Sequence, residues 1–348
     1  MNGLKRSRLM EILESFEDLS IMVVGDFALD VYWYADMIRS ELSRETPHYT
    51  RPIVKETYSP GASGNIAWNV KDLGVKNVYA ITVLGRDWRG QILTEKLQDM
   101  GIITKYILES PERVTPAYIK PILCGYDSQQ EDARLDFMNF KPLSDSLEKQ
   151  FLDNIKTAIG MVDAVIIEDQ MSSNGVVTEN VRHTLVKLAR ENCKKIFVVD
   201  SRERIGLFEN MVLKPNKIEA IRAIDPSRDP SKIGLDELMN MGRELFKRAK
   251  RPVYITLSEK GVLLIDEDKP YHLPAAPTEP PIDPVGAGDT FISAVGASLA
   301  AGASPLEAGI IANIAASVVL KKINITGTAS PKEILDKFNQ ISKGEEWP

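Results

Sequence analysis

The sequence predicts an α/β fold with a central, mostly parallel sheet flanked by helices. Short β-branched runs alternate with amphipathic helical stretches along most of the 348 residues, the pattern of strands joined by crossover helices. At 43% hydrophobic and 26% charged, the composition is that of an ordinary globular chain. The most apolar stretch, Leu306 to Leu320, carries Glu307 and Asn313. It is shorter than the roughly 20 residues of a bilayer span and reads as a buried helix.

Leu9, Ile12, Leu13 and Phe16 sit at helical spacing, so the N-terminus reads as a helix and not as a signal peptide. Ile21-Met-Val-Val-Gly25 is the first buried strand. Asn65 to Leu73 reads as a helix, Val78 to Val83 as a strand and Arg89 to Met100 as a helix. Further strands are expected at Ala164 to Ile167, Ile196 to Asp200, Val253 to Leu257 and Val262 to Ile265. Thr178 to Asn192 and Leu235 to Lys250 read as helices between them. Two stretches, about 32–58 and 117–140, break the alternation with period-two fragments such as Tyr118-Ile-Lys-Pro-Ile-Leu123. They read as strands of a small second sheet, a lid within a single unit spanning 1–348. Lys269 to Pro284, rich in proline, reads as a loop.

Forty-nine acidic against forty-three basic residues leave a net charge of −6, with no basic stripe, which argues against nucleic acid as a partner. Two cysteines make no disulfide framework, and three histidines lack zinc spacing. A cytoplasmic location away from membranes fits. Lid strands with exposed edges favour a homodimer.

The sharpest chemical signal is Asp283-Pro-Val-Gly-Ala-Gly-Asp-Thr-Phe291. Gly286, Ala287 and Gly288 allow close approach at the expected start of a helix, where unpaired amides and the helix dipole favour a phosphate. Asp289, in the first turn, can take the proton of an attacking hydroxyl. A phosphate cradle beside a base is what phosphoryl transfer to an alcohol requires. Asp26 and Asp30 lie just beyond the first strand, where carboxylates can accept hydrogen bonds from sugar hydroxyls. Asn216 and Glu219 have the spacing of a capping box. Asn313, on an apolar helix, needs a partner, and a backbone contact within the core is one candidate.

The nine-residue string resembles the C-terminal signature of the ribokinase-like (PfkB) family of sugar and nucleoside kinases. Gly61-Ala-Ser-Gly-Asn65 resembles its N-terminal glycine signature, with Gly-Ala where the family has Gly-Gly. Pro215-Asn-Lys-Ile-Glu219 resembles its Asn-x-x-Glu element, and Thr256-Leu-Ser-Glu-Lys-Gly261 its nucleotide-site strand end. The likeness runs from about residue 8 to 335 and is nearest to the heptose-7-phosphate kinase branch, through Gly25 to Tyr34 and Arg134-Leu-Asp-Phe137. Two segments depart from that branch: Arg39 to Pro52, and Asp200-Ser-Arg-Glu203 in place of Asp-Pro-Lys-Gly.

The resemblance implies an ATP- and Mg²⁺-dependent sugar kinase with Asp289 as base and the amides of Gly286 to Gly288 as anion hole. It implies substrate contacts from Asp26, Asp30, Gly61, Asn65 and Arg134, and nucleotide contacts from Asn216, Thr256, Ser258, Gly261 and Asn313. Glu219 would reach the metal through water. Arg44 and Arg202 are candidates for a substrate phosphate. The implied substrate is a heptose 7-phosphate, with a separate adenylyltransferase chain as a partner. Another sugar, a nucleoside, or a non-catalytic sensing role on the same fold are the alternatives.

Overall fold

Strands that are apolar on both faces need cover on both faces, and that requirement sets the architecture. The structure is a computed structural model describing residues 4–267, 269–323 and 326–343. Its strands are β1 (Ser20–Gly25), β2 (Phe27–Asp36), β3 (Ile53–Ala62), β4 (Asn77–Gly85), β5 (Ile103–Ser110), β6 (Ala117–Cys124) and β7 (Gln129–Glu131). They continue as β8 (Leu135–Phe137), β9 (Ala164–Asp169), β10 (Ile196–Ser201), β11 (Val212–Leu213), β12 (Val253–Thr256), β13 (Val262–Asp266) and β14 (Lys269–Leu273). The helices begin with α1 (Arg6–Glu14), α2 (Ser63–Asp72), α3 (Trp88–Asp99), α4 (Asp145–Ala158) and α5 (Glu179–Glu191). Then come α6 (Lys217–Ile224), α7 (Leu235–Ala249), α8 (Ala287–Ala300), α9 (Pro305–Val319) and α10 (Pro331–Lys343).

The large sheet runs β14-β13-β12-β11-β10-β9-β1-β4-β5. Neighbours from β5 to β12 are parallel, and β13 and β14 return antiparallel. On β1, Ile21 and Val23 face a core shared with Phe291 of α8, Ile311 of α9 and Phe338 of α10. Met22 and Val24 face the opposite core, with Phe151 of α4, Leu185 of α5 and Leu245 of α7. Each side chain alternation thus feeds one of two helical layers. Among the described residues no helix is long and apolar enough to cross a membrane.

The proline-rich run is not all loop. Lys269–Leu273 pairs with β13, Pro270 opposite Ile265. As the edge strand of its sheet it tolerates a residue without an amide donor, and the loop begins only at Pro274.

A second sheet has the order β3-β2-β6-β7, with β8 also on β6. Only Asp26 separates β1 from β2, so this sheet grows directly from the carboxyl end of the first strand. Its strands reach back to Phe27 and on to Ala62, beyond the limits read from periodicity, because Phe27 to Leu29 are buried on both sides of the alternation. Ala62, which precedes α2, has φ 50° and ψ −130°, a conformation glycine adopts freely and alanine does not. Ala62→Gly is therefore expected to stabilise the fold by about 1 kcal/mol, read as a higher midpoint in urea; an unchanged or lower midpoint would refute strain at this residue.

Candidate functional site

Parallel strands point their carboxyl ends to one edge, and charged residues that end buried strands collect there. Glu168 lies near the end of β9, Asp200 near the end of β10, and Lys214 follows β11. With Asp30 of β2, Tyr118 and Lys120 of β6, and the start of α8, they line a cleft of about 370 Å³.

Gly286 caps α8 with φ 79°. A Cβ there would also lie 3.1 Å from Asn65 Nδ2 and 3.3 Å from Thr326 Cγ2, so both conformation and space call for glycine. The Ala287 amide donates to the Pro284 carbonyl at 3.2 Å. Of the three amides expected to hold an anion, that of Ala287 thus also takes part in the turn.

The half-buried Asp289 accepts a hydrogen bond at Oδ2 from Asn65 Nδ2 at 2.6 Å. Asn69 Nδ2 donates to Asn65 Oδ1 at 3.1 Å, and Thr290 Oγ1 donates to Asn69 Oδ1 at 2.7 Å. This chain of side chains fixes the carboxylate. Asn65, expected to contact substrate, thus holds the Asp289 carboxylate. Burial lifts the pKa of Asp289 to about 6; Asn65 and Lys214 oppose the rise, while Asp200 and Asp30 add to it.

Asp30 faces the same cleft. Burial pushes its pKa up to about 6, with Lys120 and Arg134 pulling the other way. Gly61 backs onto it: a Cβ there would lie 2.8 Å from the carboxyl carbon of Asp30, so glycine makes room for the acid. Asp26 points elsewhere. Its two oxygens accept from the amides of Met171 (3.0 Å) and Val176 (2.7 Å), and it lines a separate cavity with Arg113. Asp26, expected to contact substrate, thus lies outside the cleft that Asp30 lines, and its carboxylate holds the loop after β9.

Arg134 lines the cleft, but its Nε and Nη2 donate to Asp136 at 2.6 and 2.7 Å, and its guanidinium stacks 4.8 Å from the Tyr118 ring. Arg202 is there too, whereas Arg44 is not among the lining residues. Asn216 and Glu219 do form the capping box: Asn216 Oδ1 accepts the Glu219 amide at 2.9 Å, and Glu219 Oε2 accepts the Asn216 amide at 2.7 Å. Both still border the cleft. Burial, and then the Asp200 charge, push Glu219 up to about 7.

Asn216 also lines a neighbouring groove with Thr256 and Ser258. Gly261 closes the turn after that groove, its amide donating to Ser258 and its carbonyl accepting from Leu257. Asn313 uses its amide group on backbone, donating to the Pro274 carbonyl at 2.7 Å and accepting from Ala276 at 3.3 Å. Its partner is core backbone in the loop after β14, and it is not among the residues lining this groove.

Two residues were not singled out for chemistry from sequence, Lys214 and Glu168. Lys214 is buried with Nζ 2.6 Å from Asp200 Oδ2. Burial alone would lower its pKa, but Asp200 and Glu219 outweigh that and the net shift is upward. Glu168 is buried, and its pKa is driven well above the usual carboxylate range by desolvation and by Asp289 and Asp200. Its Oε2 has no partner among the described residues. For Glu168, a charge near the end of a buried β-branched run was the available signal.

The pattern of the pfkB family of carbohydrate kinases matches residues 18–333. The chain belongs to that family. The present chain is an ATP-dependent carbohydrate kinase. It is 30% identical to the bifunctional protein HldE of Wolinella succinogenes over 96% of this chain and 68% of that protein. To HldE of Sulfurimonas denitrificans it is 31% identical over 93% of this chain and 65% of that protein. The chain thus spans about two thirds of the length of these relatives. Arabidopsis thaliana ribokinase, solved with ribose and ATP, superposes with a TM-score of 0.66 at 20% identity over 92% of this chain and 98% of that one. Escherichia coli phosphofructokinase-2, solved with potassium, gives 0.69 at 17% identity over 93% and 99%. The fold is ribokinase-like.

Proposed function

We propose that this carbohydrate kinase transfers the γ-phosphoryl group of ATP to the anomeric hydroxyl of a heptose 7-phosphate. The observation that carries the reading is Asp289, held by Asn65 at the glycine turn that opens α8. A carboxylate with a pKa of about 6 is ionised at neutral pH yet basic enough to take a proton as the hydroxyl attacks. The amides of Gly286 and Gly288 face the charge that develops on the transferring phosphoryl oxygens, and the Lys214 ammonium, close to Gly288, adds to it. Asp30 orients the sugar, and the groove of Thr256 and Ser258 takes the nucleotide. The second sheet acts as a lid that excludes water from the transfer.

The residues fit a Mg²⁺ ion. Glu168 Oε2 is buried beside the cleft without a partner, and Glu219 borders it. No cluster of three ligating side chains occurs among the described residues, which suits an ion that keeps several waters and binds largely through phosphates. Glu168 and Glu219 would hold those waters, and the ion would neutralise β- and γ-phosphate charge. The substrate choice draws on the HldE relatives. It is tested by following ADP release from Mg-ATP against free and phosphorylated hexoses, heptoses and nucleosides. Turnover highest with a heptose 7-phosphate is expected; turnover confined to unphosphorylated ligands would overturn the substrate and leave the kinase.

A further inference from the structure

Asp289 is held from α2 as well as from its own helix. Asn65 and Asn69 lie one turn apart on α2, Thr290 follows Asp289 on α8, and all three are fully buried. A buried amide side chain has two orientations, and its neighbours decide between them. The Asn69 amino group is spent on oxygen, with one bond to the Asn65 main-chain carbonyl at 2.9 Å and one to Asn65 Oδ1 at 3.1 Å. Turning this amide over would set its own oxygen against both. Asn69 Oδ1 is therefore left to accept the Thr290 hydroxyl at 2.7 Å. That hydroxyl has one proton and a second acceptor farther off, the Gly286 carbonyl at 3.1 Å.

Asn65 takes its orientation from Asn69. With Oδ1 accepting from Asn69, only its Nδ2 can face Asp289 Oδ2, 2.6 Å away. Reversing Asn65 would bring two amino groups together at one end and two oxygens at the other. The chain thus has a single polarity. The other carboxylate oxygen, Oδ1, accepts no hydrogen bond among the described residues, and Asp289 lines the cleft.

We propose that Asn69 is a positioning residue for phosphoryl transfer: it locks this polarity, so that Asp289 Oδ2 only accepts and the substrate's proton is taken on Oδ1. This rests on Asp289 as the base of the proposed transfer, and adds which of its oxygens reacts and what selects it. As the substrate O–H bond breaks, its proton passes to Oδ1 and its electron pair forms the new bond to the γ-phosphorus. The electrons of the bond that is lost leave with ADP. A donor fixed on Oδ2 also favours the ionised acid, in line with the downward pull of Asn65 on the Asp289 pKa.

The test compares Asn69→Leu with Thr290→Val and Thr290→Ser. Leucine keeps much of the volume and removes the donor that orients Asn65, which can then turn either end to Asp289. In Asn69→Leu, kcat should fall about 10- to 100-fold, with KM for ATP and sugar within about twofold of wild type. The acid limb of kcat should move to higher pH, because the ionised base loses part of its hydrogen bond. Thr290→Val leaves both Asn69 contacts to Asn65 in place. It should lower the urea midpoint as Asn69→Leu does, yet reduce kcat only about 2- to 5-fold, and Thr290→Ser should recover most of that. Wild-type kcat and acid limb in Asn69→Leu, or equal losses of rate in Asn69→Leu and Thr290→Val, overturns the lock while the base stands. A neutron structure of the deuterated wild type, at a pH below the acid limb, reads the lock without any variant. The deuteron is expected on Asp289 Oδ1, with Asn65 Nδ2 still directed at Oδ2; a deuteron on Oδ2 facing Asn65 Oδ1 overturns the proposal. Undiminished kcat in Asp289→Asn is the separate result that would remove the base, and the lock with it.

Discussion

Asparagine in place of Asp289 is expected to lower kcat by about 10²- to 10⁴-fold while ATP and sugar still bind. The substitution keeps the shape of the side chain and an oxygen that can accept the Asn65 hydrogen bond, 2.6 Å in the wild type. What it removes is the capacity to take a proton. Wild-type kcat/KM should be level above neutrality and fall as the pH drops through about 6. The direction follows from burial, which raises the pKa of Asp289 from 3.8 to about 6, so that acidification protonates the base. Asp30 titrates in the same range and Glu219 at about 7. The acid limb therefore belongs to the carboxylate cluster, and its steepness should diminish in Asp289→Asn. Calorimetric binding of ATP with rates from ADP release separates the two effects. Wild-type kcat in the variant would remove Asp289 as the base.

Much of the architecture is legible in the sequence because buried parallel strands must be apolar on both faces. Ile21 to Gly25 and Ala164 to Ile167 could hardly be anything else. Strands that escaped are those freed from that demand: β5 and β14 at the two edges of the large sheet, the latter with a proline, and β11, which is only Val212–Leu213. The glycine turn was legible because its conformation leaves so few residue choices. The roles of side chains around it were harder to read. Asp26 and Asp30 look alike in sequence, four residues apart at one strand end, yet backbone amides from a loop some 145 residues later claim Asp26 and leave Asp30 to the cleft. Nor does the sequence near Asn65 show its hydrogen bond to Asp289, 224 residues later. Lys214 was invisible because a lysine beside a proline reads as surface, and only the neighbouring strand end supplies Asp200.

Replacing that lysine gives the second large effect. Lys214→Met should reduce kcat/KM by about 10²- to 10³-fold, since a buried cation aimed at developing phosphoryl charge is lost. The same change should move the acid limb to higher pH. Lys214 lowers the pKa of Asp289, Glu168 and Glu219, so without it each acid holds its proton to a higher pH. Stability should fall as well, by about 3–5 kcal/mol, because Asp200 is left as an unpaired charge. A structural role alone would predict that restoring the fold restores the rate. Asp200→Asn added to Lys214→Met removes the orphaned charge, and urea unfolding should then recover part of the lost stability. The rate should not recover with it, because the cation is still missing. Recovery of both together would reduce Lys214 to a scaffold for Asp200, and the charge that meets the phosphoryl group would then have to come from the amides of Gly286 and Gly288 alone.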